Sequence, residues 1–100
     1  MIAVYADRVG EKYRLLVEGH AERDGEGSLV CAAVSALTGA LVEYAKSSPV
    51  CRRLRTTGEK GRVFLSCRGG LENVFEMTLA ALTRLAAAYP RHIVCHANEA

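Results

Sequence analysis

A chain of 100 residues has room for one core between two layers of secondary structure, so residues 1–100 are read as a single domain. Half of the residues are hydrophobic, only 2 are Pro and the formal net charge is +2, which excludes wholesale disorder and a strongly basic, nucleic-acid-binding composition. No apolar run approaches the roughly 20 residues that cross a bilayer, and Met1 leads into a strand-like segment. The expectation is a soluble, unexported, cytoplasmic protein with no nucleic-acid or membrane partner.

Residues 2–7 (Ile-Ala-Val-Tyr-Ala-Asp) and 12–18 (Lys-Tyr-Arg-Leu-Leu-Val-Glu) read as two strands joined by a turn at Val9-Gly10-Glu11. In the second strand Tyr13, Leu15 and Val17 alternate with Arg14, Leu16 and Glu18, and period two places His20 with Leu16 and Glu18. From Ala21 to Gly27 the chain is polar with two glycines, Gly25 and Gly27, which marks a mobile loop without apolar anchors. Ser28 then serves as the expected N-cap of a helix over 29–46. Its apolar face is Leu29, Val30, Ala33, Val34, Leu37, Ala40, Leu41 and Tyr44, and Ser47-Ser48-Pro49 stops it.

A second strand pair is expected at 50–56 and 61–67, around a turn of Gly58, Glu59, Lys60 and Gly61. After Gly69-Gly70, helical spacing runs from Leu71 to Tyr89 and ends at Pro90, and His92 to His96 forms a last short strand. The order is ββαββαβ. It predicts an α+β two-layer sandwich, one sheet with two helices, whose ββα halves hint at an internal pseudo-repeat.

The four cysteines, Cys31, Cys51, Cys67 and Cys95, lie within apolar segments and form no C-x-x-C pair, so reduced thiols are expected. His92, Val94 and His96 would face one side of a strand and Cys95 the other, so these ligand types do not converge and no metal or other cofactor is expected. The arginines Arg52, Arg53, Arg55 and Arg62 are read as a solvated face, and Gly69-Gly70 as a tight turn.

Chemistry concentrates in Gly19-His20-Ala21, the glycine-containing loop, and Ser28-Leu29-Val30-Cys31. A thiol in the first helical turn feels the positive end of the helix dipole, which favours thiolate. An imidazole brought alongside by the folded-back loop can take the thiol proton and return one to a leaving amine, and exposed amides at the helix start can hold an oxyanion. The residues alone leave open whether His20 and Cys31 form this pair or serve packing and capping.

Gly19-His20-Ala21 followed by Val30-Cys31-Ala32-Ala33-Val34-Ser35-Ala36-Leu37 resembles the signature of the ribosomal-processing cysteine protease (Prp) family, and the length and element order extend the likeness over the whole chain. The resemblance implies a homodimeric cysteine endopeptidase with a His20–Cys31 dyad, acting on the N-terminal extension of a large-subunit ribosomal protein precursor. It also implies that the loop 21–27 closes over bound peptide and that Ser35 is a motif serine. Some relatives process phage capsid or scaffold proteins. The family carries Asp three residues before the Cys, where this chain has Ser28, a departure that keeps a non-catalytic binding module of the same fold as the alternative.

Overall fold

The computed structural model describes residues 1–99, with only the backbone at Asn98 and Glu99. Its elements are β1 (Ile2–Val9), β2 (Lys12–Gly19), α1 (Gly25–Ser47), β3 (Arg52–Glu59), β4 (Arg62–Arg68), α2 (Glu72–Ala88) and β5 (Ile93–Glu99). The five strands form one sheet in the order β3-β4-β2-β1-β5, so the α+β two-layer expectation holds. All neighbours are antiparallel except β1 and β5, whose parallel pairing follows from the return of the chain through α2.

Alternation sorts the side chains between two faces. Val4 opposes Val17, Ala6 opposes Leu15, Leu15 opposes Leu65 and Tyr13 opposes Cys67, and these rows are buried on one face. Val30, Val34, Leu41 and Ala45 of α1, with Phe75, Leu79 and Leu82 of α2, close that face into the core. Each large apolar side chain so buried contributes about 1.5–3 kcal/mol. Tyr13 meets Phe75 edge-on, with ring centroids 5.0 Å apart. The other face is open and carries Tyr5, Leu16 and Phe64, with Asp7–Arg14 and Glu18–Arg62 pairs at 3.9 Å.

The structure corrects four sequence expectations. Helix α1 begins at Gly25, and its N-cap is Asp24, whose carboxylate accepts from Gly27 N–H at 2.6 Å; Ser28 is already helical and bonds back to Asp24. Leu29 and Tyr44 stay exposed, because the apolar residues of α1 exceed the one face that the sheet and α2 can cover. That excess also makes α1, with mean hydropathy 1.6 over an 18-residue window, long and apolar enough to cross a membrane, contrary to the sequence reading; in this fold it packs on the sheet. Finally, β5 starts at Ile93, and His92 lies in the preceding turn, buried, with Nε2 3.6 Å from Glu26 of α1; it does not share a face with Val94 and His96.

Candidate functional site

β2 ends at Gly19, which adopts φ +99°. That left-handed step breaks the two-residue alternation and directs the next residue off the strand. His20 therefore does not join Leu16 and Glu18 on the open face. It lines a recess with Ile2 and Val17, which belong to the helix-covered side of the sheet. Two backbone contacts fix this corner: Gly19 N–H donates to Gly61 O at 2.9 Å, and the Met1 amino group donates to His20 O at 2.6 Å. A side chain on Gly19 would collide with the Met1 carbonyl.

The imidazole lies over the β3–β4 turn. Gly61 there has φ +80°, and a Cβ at that position would strike the ring, approaching His20 Cε1 to 2.8 Å. Glycine is favoured in this turn by its backbone angle, and the imidazole of His20 occupies the space into which a side chain there would project.

Cys31 faces the same recess from α1. Cys31, Val34, Ser35 and Thr38 recur at helical spacing and present one stripe to it, with Cys31 half-buried and Ser35 exposed. Thr38 is buried and donates to Val34 O at 2.9 Å, so its hydroxyl is satisfied within the helix. Val63 completes the lining, Glu59, Lys60 and Arg62 form the rim, and the volume is about 370 Å³.

Of the residues singled out by sequence, Gly19, His20, Cys31 and Ser35 thus meet at one recess, whereas Ala21, Gly25, Gly27 and Ser28 do not line it. Ala21 is buried and anchors the connection that the sequence reads as unanchored, and Gly27 is tucked against the backbone of Glu22, where a Cβ would clash. At the surface of this connection Arg91 lies 3.7 Å from Glu22, and the buried His92 places Nε2 3.6 Å from Glu26 in the first turn of α1.

The earlier helix start changes the electrostatics. Cys31 is in the second turn of α1, about 9 Å from the first residue at 1.5 Å per residue, where the dipole effect has faded. The helix-start amides expected to hold an oxyanion are a turn and a half away from the thiol. The polar residues that share the recess with it include His20, Ser35 and those of the β3–β4 turn, Glu59 to Arg62.

Sequence reasoning missed Gly61 and Asp24. An Asp three residues before Gly27 is as good a cap signal as Ser28, but the intervening glycines read as loop. Two of the other thiols, Cys67 and Cys95, are desolvated. Desolvation first, and then its neighbour Cys51, push the Cys67 thiol up to about 12, and desolvation also raises Cys95. All four cysteines are free. Among the described residues, no three His, Cys, Asp or Glu side chains are grouped to hold a metal ion.

A family model described as cysteine protease Prp matches residues 1–94. Among solved structures, the ribosomal processing protease Prp from S. aureus in complex with a covalently linked product peptide superposes with TM-score 0.76 at 21% identity, covering 98% of this chain and 100% of that one. The same S. aureus protease in complex with a substrate peptide gives TM-score 0.72 at 21% identity, with coverage of 98% and 100%. SMU.848 from Streptococcus mutans gives 0.74 at 21% identity, covering 100% of this chain and 96% of that one. No curated protein matches the chain.

Proposed function

The chain belongs to the Prp family of cysteine proteases, and from that premise we propose that it is an endopeptidase with Cys31 as nucleophile and His20 as base. The observation that carries this reading is that the two side chains, supplied by different elements, line one recess, with Gly61 leaving room for the imidazole. His20 takes the thiol proton, and the thiolate adds to the scissile carbonyl. The imidazolium then protonates the departing amine, leaving a thioester that water, activated by the same imidazole, hydrolyses. Ser35 and the Lys60-Gly61 turn, which line the same recess, are the candidate donors to the developing oxyanion.

The substrate proposed is the N-terminal extension of a large-subunit ribosomal protein precursor, in keeping with the family resemblance and with the peptide complexes of the S. aureus protease. The same reading takes the protein to be a cytoplasmic homodimer. The open sheet face, with Tyr5, Leu16 and Phe64, is a surface available to a second copy, and sedimentation checks the assembly.

A second reading, a binding module that recognises a ribosomal, capsid or scaffold protein without cutting it, is favoured by the position of Cys31 beyond the helix start. One experiment separates them. Purified protein should cleave a peptide spanning the junction of extension and mature ribosomal protein, and Cys31→Ala should lose cleavage while keeping its circular dichroism and melting temperature. Cleavage that survives in Cys31→Ala contradicts the dyad, and binding without cleavage in the unmodified protein selects the second reading.

A further inference from the structure

The recess at His20 and Cys31 does not end at Thr38. A second recess of about 360 Å³ adjoins it, sharing Ser35, Thr38 and Val63, and continues along α1 past Gly39 and Val42 to Glu43 and Lys46, with Thr56, Thr57 and Gly58 of β3 as its opposite wall. We propose that this continuous groove between α1 and β3 holds one flank of the peptide in extended conformation, a subsite that rests on the protease reading above.

Three features favour an extended peptide as occupant. The first is continuity with the recess that contains the thiol and imidazole, so a chain seated at Cys31 can run into the groove without a turn. From Cys31 to Lys46 the helix rises about 22 Å at 1.5 Å per residue, which matches about six or seven residues of extended chain at 3.3 Å each. The second is backbone chemistry. β3 is the terminal strand of the sheet and pairs only with β4, so outward N–H and C=O groups of Thr56–Gly58 stay unpaired at the rim of a groove whose lining reaches Val63 of β4. The third is the lining. Val42 and Val63 give apolar contact, Thr38 already satisfies its hydroxyl within α1, and Glu43 and Lys46 face each other at 3.9 Å at the far end. Such a groove selects uncharged, small or aliphatic side chains over charged ones.

Gly39 and Gly58 keep the groove open from opposite walls. Glycine inside a helix is unfavourable relative to other residues. A Cβ at Gly39 would meet nothing within 4 Å, nor would one at Gly58. Neither packing nor a positive φ requires these two glycines, so larger residues fit the fold while filling the groove.

The test uses binding, so that it does not depend on turnover. In a Cys31→Ala background, a fluorescent peptide spanning the ribosomal-protein junction by several residues on each side is titrated by anisotropy, with and without Gly39→Leu or Gly58→Val. Each substitution is expected to weaken binding tenfold or more and to leave the melting temperature unchanged or higher. In the Cys31-containing protein, each should leave alkylation of Cys31 by iodoacetamide within twofold. Shortening the peptide on the flank that occupies the groove should weaken the parent and have no effect in Gly39→Leu. Equal affinity in folded parent and variants, or no peptide binding at all, overturns the groove. Binding with the expected losses but without cleavage by the Cys31 protein leaves the groove standing and removes the catalytic reading instead.

Discussion

The two ββα halves of this domain have the same element order and opposite uses. The seventh residue of α1 is Cys31, half-buried and facing a recess; the seventh of α2 is Thr78, buried and donating to Val74 O at 2.7 Å. The difference begins in the connections. Between β4 and α2 the chain turns through Gly69 and Gly70, at φ +70° and +84°, straight into Leu71, which is fully buried, so α2 lies closed on the sheet. Between β2 and α1 the longer segment His20–Asp24 swings around the sheet corner and places an exposed imidazole beside a groove. Both helices contribute to the core, and the difference lies at their N-terminal ends, where the longer connection before α1 leaves a recess beside Cys31 and the shorter one before α2 does not.

If the halves are divided in this way, substitutions should separate stability from activity. Phe75→Ala in α2, removing a fully buried ring, is expected to cost about 3–5 kcal/mol, measured by urea unfolding, and to reduce cleavage only as far as it unfolds the protein. His20→Ala, at an exposed position, should leave the unfolding midpoint nearly unchanged and lower kcat/KM by about 10²–10⁴, measured with the junction peptide. Reversal of these two results erases the distinction.

Gly61→Ala and Gly10→Ala sharpen it. Both residues have positive φ, so each substitution should cost about 1–2 kcal/mol. Only Gly61 faces the imidazole, while a Cβ at Gly10 meets nothing within 4 Å. Activity per folded molecule should fall on the order of tenfold for Gly61→Ala and stay level for Gly10→Ala. Smaller still, Asp24→Ala should cost about 1 kcal/mol as a lost N-cap, whereas Ser28→Ala should stay within about 0.5 kcal/mol. The opposite order would restore Ser28 as the cap.

The thiols extend the contrast to pH. Desolvation holds the folded Cys67 thiol at about 12, against an ordinary value of 9.0, and raises Tyr13 and Cys95 as well. The folded state therefore keeps protons that the unfolded chain releases. Stability from this source is complete below about pH 9 and declines as pH rises toward 12, a slope that urea midpoints between neutral and alkaline pH should show and that Cys67→Ala should flatten. At neutral pH, thiol probes should leave Cys67 and Cys95 unlabelled in the native protein.

Much of this architecture is legible in the chain itself. The alternation of Tyr13, Leu15 and Val17 identifies the buried face of β2, and the spacing of Phe75 and Leu82 identifies that of α2. His20 and Cys31, adjacent to one loop in the sequence, both line one recess. What periodicity misses is decided by contacts between segments. Gly25 and Gly27 read as helix breakers, yet Asp24 caps α1 and Gly27 fits against Glu22, so α1 starts earlier. The face of His20 depends on φ at Gly19, which period two does not contain. The surplus of apolar residues on α1 hides which stripe is buried, and Leu29 lies on the solvent side. His92 looks like strand but is held under the first turn of α1.

Acylation of the Cys31 sulfur is detected by mixing the protein with an activated ester of the junction peptide, quenching in acid and mapping the adduct by mass spectrometry. One acyl group is expected, carried by the Cys31 peptide and absent in Cys31→Ala. Acylation at Cys51, Cys67 or Cys95 in its place, or cleavage of the junction peptide with no adduct at any cysteine, would contradict it.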